Sequence, residues 1–283
     1  MKKRAFAKIN LTLDVIRQRS DGYHDMQMVM VPLELHDVIS LETAAEYSFS
    51  ANVKHLPDDE KNLIYRSIEE MRKSYGFTEE FKVEVQKFIP TQAGLGGGSS
   101  NAATTIAIVN ELLDLNLSRT QLEEVANRVG KDVVFCLHSR SALVEESGEK
   151  VEFIENNCDF DVLLVKPHRG VSTRQAFSVL DRYESRHYPA AGMIEALAAG
   201  DYQGVLANLG NSFEESAIKN LPVIGRIKKE MARMGLDASL LCGSGSCVFG
   251  LSQNEESLNT ALAYFRKKYP FVHKTKMMRN GHG

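Results

Sequence analysis

Residues Pro90 to Ala103 read PTQAGLGGGSSNAA, a glycine-serine loop running straight into a helix start built of small residues. Three consecutive glycines, Gly96, Gly97 and Gly98, open backbone conformations closed to other residues, so several N–H groups can converge on one anion. The following helix leaves its first N–H groups without internal partners, and its dipole puts partial positive charge where phosphate oxygens would lie. Ser99 and Ser100 add hydroxyls at the same place, and the anion expected is a polyphosphate. No G-K-[ST] follows Gly94 at Walker A spacing, and Ser99 and Asn101 stand where a G-x-G-x-x-G needs its third glycine. A P-loop ATPase and a Rossmann dehydrogenase are therefore disfavoured. A plain glycine turn between strand and helix is the bland alternative.

The flanking segments place this loop. FKVEVQ at 81–86 alternates apolar and polar residues and predicts a half-buried strand that delivers the chain to the glycines. Residues 26–42 also read as strand material, interrupted at Pro32. Past the loop, residues 101–113 carry Ala102, Ala103, Ile106, Val109, Leu112 and Leu113 at helical spacing. Ser118 with Gln121 is a capping-box signature for a second helix ending at Gly130. Asp132 follows that stop and precedes VVFCL, so it reads either as a turn aspartate or as a functional carboxylate entering a buried strand. Further on, DVLLVKP at 161–167 predicts a buried strand and Pro222 to Met234 a helix closed by Gly235. Residues 238–251 predict two short strands around a glycine-serine turn, and a last amphipathic helix spans about 255–268. The polar ENNCD stretch places a boundary near 152–160, dividing the chain into 1–155 and 156–283.

Composition limits the partners. The 283 residues are 43% hydrophobic and 25% charged, enough for two modest cores. With 34 basic against 37 acidic side chains the net charge is -3, so nothing recommends DNA, RNA or an anionic membrane as main partner. Lys8 and Asn10 break the apolar N-terminus, which does not read as a signal peptide, and no apolar run approaches the roughly 20 residues of a membrane span. Cys136, Cys158, Cys242 and Cys247 lack zinc-ligand or C-x-x-C spacing, and a reducing cytoplasm is expected.

Polar residues inside apolar strand patterns are the candidates for chemistry. Lys8 and Asn10, two apart in AFAKINLTLDV, would share one strand face and present an ammonium beside an amide; an exposed edge-strand lysine is the alternative. Asp21-Gly22 signals a turn from which Tyr23 and His24 would emerge, either as a base-binding pair or on a solvated corner. The GSGS turn at 243–246 offers a second backbone nest or merely a tight hairpin.

Together, AKINLTLDV, RSDGYH, NLIYRS, KFIPTQAGLGGGSSNAAT, GKDVVF and GSGSCVFGL occur in the order found in the GHMP small-molecule kinases, which the chain resembles from about residue 5 to residue 251. AKINL with DGYH resembles the members acting on a cytidine-diphosphate-linked methylerythritol of the non-mevalonate isoprenoid pathway. Homoserine and mevalonate kinases would share the loop without DGYH and are the alternatives, beside a nucleotide-binding regulator with impaired turnover. The resemblance implies an α+β, two-domain GHMP kinase fold: an N-terminal ribosomal-protein-S5-domain-2-like, ATP-binding domain and a C-terminal α/β sandwich on the substrate side. It implies ATP and Mg2+, with the metal's ligands unassigned, a small-molecule acceptor, and a cytoplasmic monomer or weak homodimer.

Residue by residue, the resemblance implies Lys8 and Asp132 as catalytic pair. It puts ATP on Gly94, Leu95, Gly96, Gly97, Gly98, Ser99 and Ser100, with Asn62 on the adenine side and Lys87 lining the nucleotide cleft. Substrate recognition falls on Asn10, Tyr23, His24, Thr173 and Phe177, with Tyr23 and Phe177 sandwiching the cytosine while His24 reads its polar edge. Gly243, Ser244 and Gly245 form a phosphate-side turn. The chain departs from the family pattern at Lys131 and Val134, where alanine and proline are common, at Cys242 in place of serine or threonine, and at Ser246 in place of a frequent proline.

Overall fold

Two long strands open the chain, the first buried without a break from Ala7 to Val15. In the computed structural model, which describes residues 1–54, 56–180 and 186–279, β1 (Lys2–Gln18) and β2 (His24–Ala44) form one long antiparallel hairpin. Its register shifts between Phe6 and Lys8 and again between Asn10 and Thr12, so Lys8, Ile9 and Asn10 sit between two irregularities of the ladder. Such irregularities re-aim side chains. Pro32, read as an interruption, lies within β2 opposite Lys8, whose N–H donates instead to Leu95 O at 3.0 Å. The glycine loop is thereby attached to the strand that carries Lys8.

β3 (Ser48–Ala51), α1 (Leu63–Tyr75) and β4 (Glu80–Gln86) follow, with β4 antiparallel to β2 and parallel to β3. Helix α2 (Gly97–Leu112) then begins inside the glycine run, four residues earlier than the apolar spacing predicts, because glycines carry no side chain to signal a helical face. α3 (Arg119–Val129) has the expected capping box, with Ser118 and Gln121 bonded reciprocally. The VVFCL run forms α4 (Val133–His138), not the strand its β-branched residues suggest. Burial decides this: Val133, Val134 and Phe135 are all inside, and a short wholly apolar segment has no period to distinguish helix from strand. β5 (Ala142–Glu146) and β6 (Lys150–Phe153) complete a hairpin on β2.

The second half supplies β7 (Asp161–Lys166), α5 (Thr173–Leu180), α6 (Ala191–Ala199), α7 (Tyr202–Asn208), β8 (Gly210–Asn211), α8 (Glu214–Asn220), α9 (Val223–Arg233), β9 (Ala238–Leu241), β10 (Val248–Ser252), α10 (Glu255–Arg266) and β11 (Phe271–Lys276). The expected strand at 161–167, the helix led by Pro222 and the strand pair around 243–246 are all present. Two sheets result. One runs β3-β4-β2-β1-β8 with β5 and β6 attached through β2, and the other runs β11-β7-β10-β9. β8 thus returns from the second half to pair with β1.

One face of the β1–β2 hairpin, with Ile9, Leu11, Val29 and Val31, packs in a common core with Val162, Leu164, Phe249 and Leu251 of the second sheet. Its other residues, including Leu13 and Met30, share a core with α1 and α2 through Ile64, Ile68, Ile106 and Val109. Burial on both faces excludes water from the middle of β1, where Lys8 lies. Among the described residues no helix is long and apolar enough to cross a membrane.

Candidate active site

Lys8 is only 5% exposed, and a buried ammonium needs partners. Its Nζ donates to Asn10 Oδ1 at 2.9 Å and stands 3.4 Å from Asp132 Oδ2. Asp132 occupies the N-cap position of α4, but its carboxylate makes no capping bond, so it faces the lysine and the cleft. The two residues, far apart in sequence, meet as one couple. Asn10 is fully buried, and its Nδ2 has no hydrogen-bond partner, leaving a donor beside the ammonium for a ligand oxygen.

The glycine loop passes directly over Lys8. A Cβ on Gly96, which has φ 70°, would come within 2.8 Å of Lys8 Cγ, and one on Gly97 within 2.9 Å of Ile89 Cγ2. Gly96 caps α2, and Ser100 N already donates to Gly96 O at 2.8 Å, so the N–H groups of the first turn before it lack helical acceptors. Gly94, at φ 78°, lies against the second turn: a Cβ there would overlap the carbonyl oxygen of Cys242. Cys247 N donates to Ala93 O at 3.2 Å, and Asn211 Nδ2 donates to Leu241 O and Gly243 O at 2.9 and 2.8 Å. The two glycine turns are therefore sewn backbone to backbone, and Cys242, wholly buried, leaves this arrangement intact.

Below the loop, Lys87 is ion-paired with Asp37, and both are buried. Burial lowers the Lys87 pKa, against the pull of Asp37. Asp37 Oδ1 accepts from Phe88 N at 2.7 Å and Ile89 N at 2.8 Å. With its amide oriented to satisfy both neighbours, Asn101 donates to Asp37 Oδ2 at 2.8 Å and to Gly97 O at 3.0 Å.

A cavity of about 380 Å³ joins these parts. It is lined by Lys8, Asn10, Asp132, Asn62, Lys87, Gly94 to Ser99, Thr173, Phe177 and Gly243 to Gly245, together with Gln92, Met26, Met28, Asn101 and Phe213. Thr173 Oγ1 lies 3.3 Å from Ser244 Oγ, linking α5 to the second turn.

Several expected site residues lie outside the open cleft or are engaged elsewhere. Ser100 turns inward, 1% exposed and with its hydroxyl unpartnered, and only Ser99 reaches the cleft. Asn62 lines the cavity, but its side chain is engaged as the α1 cap, accepting from Ile64 N at 3.0 Å and donating to Pro57 O at 2.7 Å. Tyr23 and Phe177 form no open slot. His24 stacks on Phe177 with ring centroids 4.5 Å apart, while Tyr23 is 56% exposed with Lys131 Nζ 5.4 Å from its ring. Neither Tyr23 nor His24 lines the cavity.

Sequence reasoning passed over Asp37, Asn101 and Phe213. Asp37 had a signal: it occupies an inward position in the alternation Leu33, Leu35, Asp37, Ile39, Leu41, where a carboxylate must be paired. Asn101 and Phe213 had none.

The fold agrees with known proteins. The profile of the GHMP kinases N terminal domain matches residues 62–140, and that of the GHMP kinases C terminal matches residues 193–270. The chain is 40% identical over 258 residues to a 4-diphosphocytidyl-2-C-methyl-D-erythritol kinase of Bacillus licheniformis, covering 90% of this chain and 89% of that one. It is 37% identical, over the same shares, to the protein of that name from Bacillus cytotoxicus. A crystal structure of 4-(cytidine 5'-diphospho)-2C-methyl-D-erythritol kinase superposes with a TM-score of 0.82 at 27% identity, covering all of both chains. A homoserine kinase from Cytophaga hutchinsonii shares the fold, with a TM-score of 0.75 at 17% identity over all of this chain and 96% of that one. The chain belongs to the GHMP kinases, and within them to the 4-diphosphocytidyl-2-C-methyl-D-erythritol kinases.

Proposed function

We propose that the chain transfers the γ-phosphoryl group of ATP to the 2-hydroxyl of 4-diphosphocytidyl-2-C-methyl-D-erythritol, with Lys8 and Asp132 at the reacting atoms. The observation that carries the reading is the position of one buried ammonium. Lys8 Nζ touches Asn10 and approaches Asp132, while its methylenes lie under the Gly96 backbone. It joins the acceptor side to the phosphate cradle.

Phosphoryl transfer passes through a loose transition state, so positioning and charge stabilisation outweigh strong base catalysis. Asp132 orients the acceptor hydroxyl and takes its proton late, as carboxylates are weak bases toward alcohols. Lys8 neutralises charge building on the transferred oxygens. The N–H groups at the start of α2 and the turn at Gly243 to Gly245 bind the polyphosphate. No three His, Cys, Asp or Glu side chains converge among the described residues. This fits Mg2+ arriving on the nucleotide, since that ion keeps phosphate and water ligands and takes only one or two carboxylates. Asp132, with Ser99 at the start of α2, would supply oxygens to it; bound there, it would offset the charge on the β and γ phosphates.

Thr173, Phe177, Tyr23 and His24 form the cytidine side. The base stacks on Phe177 after His24 moves off that ring to meet the polar edge of the base. We assign residues 1–155 to the ATP side and 156–283 to the substrate side, a division that follows the change of sheet apart from β8. All four cysteines are free thiols, in keeping with a cytoplasmic enzyme. A net charge of -3 agrees with a small-molecule partner rather than a nucleic acid or a membrane, and we take the enzyme to be a monomer or weak homodimer.

ADP release measured with the cytidine substrate, homoserine and mevalonate tests the reading. Turnover confined to the cytidine substrate is expected, and turnover of either small acid in its place overturns the assignment.

A further inference from the structure

We propose that Asp37 is a positioning residue for the nucleotide, strapping together the two stems of the glycine loop, and that Lys87 serves to cancel the charge of Asp37 rather than to grip the phosphates. This inference rests on the ATP site proposed above.

Asp37 lies on β2, fully buried, and its two oxygens take four donors. Oδ1 receives the N–H groups of Phe88 and Ile89, on the stem that leads into the loop. Oδ2 receives Lys87 Nζ and the amide of Asn101, on the helix that leads out of it. One rigid strand residue therefore fixes both ends of the cradle.

Asn101 carries this constraint to the anion-binding groups. Its second N–H is bonded to Gly97 O at 3.0 Å. The carbonyl of Gly97 and the N–H of Gly98 belong to one planar trans peptide and point in opposite directions. Pinning the carbonyl into the helix aims the N–H outward, toward the cleft that Gly97 and Gly98 line. Glycines are otherwise free to rotate that peptide, and ordering it in advance removes an entropy cost from binding.

The charge of Asp37 would oppose a polyphosphate held above it. Lys87 neutralises it from within: its ammonium is buried against Asp37 and lies 3.0 Å from where a Gly97 Cβ would stand. With Lys87 removed, an unpaired carboxylate would remain under the cradle. With both charges removed, the repulsion disappears. A lysine that gripped the nucleotide directly would behave differently, because removing Asp37 as well could not restore its contact.

The test is the dissociation constant of Mg2+–ATP, measured by calorimetry for the wild type, Asp37→Asn, Lys87→Met, the double variant and Asn101→Ala. The affinity for the cytidine substrate serves as internal control. Asp37→Asn and Asn101→Ala should each weaken ATP binding about tenfold, the scale of one hydrogen bond to a charged group, with cytidine-substrate affinity held within about twofold. Lys87→Met should weaken it further, and the double variant should recover to the level of Asp37→Asn. Asn101→Ala leaves every charge in place and carries the test if Asp37→Asn does not fold. ATP affinity unchanged in folded Asn101→Ala overturns the strap. A double variant no better than Lys87→Met overturns the role given to Lys87. Failure of the wild type to bind ATP overturns the functional reading instead.

Discussion

Lys8 Nζ lies 3.4 Å from Asp132 Oδ2, although one residue is on the first strand and the other stands at the N-cap position of the short helix α4 without capping it. The couple is held by burial of the lysine stem, while the carboxylate stays a third exposed toward the cleft. Asp132→Asn keeps shape and removes charge. It should lower kcat by about 10²–10⁴, the range for a positioned proton acceptor, with ATP affinity little changed. Single-turnover rates beside ATP titration check this, and equal losses in both would contradict the division of roles.

Lys8→Met should lower kcat by about 10²–10³, as for loss of one group that stabilises transition-state charge. Lys8→Arg should not rescue it. The lysine stem already lies within 2.8 Å of a Cβ position on Gly96, and a planar guanidinium has no room below the loop. Steady-state kinetics of the two variants decide the point.

Gly94→Ala should destabilise the protein by more than about 2 kcal/mol, because the new methyl strains a left-handed backbone and strikes the carbonyl of Cys242. The urea midpoint should fall with the slope unchanged.

Phe177→Ala should weaken binding of the cytidine substrate by about 1–3 kcal/mol, the worth of one stacked base, and leave ATP affinity in place. His24→Ala, which uncovers the Phe177 ring but removes the side chain proposed to read the base edge, should narrow the preference for cytidine over the uridine analogue. Competition binding with the two nucleotides measures both effects.

Burial lowers the pKa of His138, opposed by its 2.7 Å contact with Glu123 and reinforced by Arg119. Between the ordinary histidine value of 6.5 and the lowered folded value, the unfolded chain binds a proton that the folded protein refuses. This contribution to stability is therefore present above that window and lost as pH falls through it. His138→Asn should flatten the decline in Tm between about pH 7.5 and about pH 5.5.

Much of the site was legible because its signals are local. Gly96 to Gly98, the alternating strand before them and the polar Lys8 and Asn10 inside an apolar strand each show in a few residues. The Lys8–Asp132 pairing was not, since no local pattern ties a strand residue to a distant cap; only the family resemblance joined them. α4 was misread because Val133 and Val134 favour strands in isolation, while their burial among α2, α3 and the sheet favours a helix. Asp37 was legible in principle from its inward register, yet its donors come from the stems on either side of the loop and from Lys87. The stack of His24 on Phe177 depends on how α5 approaches the β1–β2 turn, which no spacing in the chain encodes.

The most direct test is the position of the transferred phosphate. ³¹P and ¹³C NMR of the product formed from Mg2+–ATP and 4-diphosphocytidyl-2-C-methyl-D-erythritol should show a new phosphomonoester on the tertiary carbon that bears the 2-hydroxyl, formed by the wild type and lost in Asp132→Asn. A phosphomonoester on another hydroxyl, or the same product formed at an undiminished rate by Asp132→Asn, would contradict the placement of the acceptor alcohol between Lys8 and Asp132.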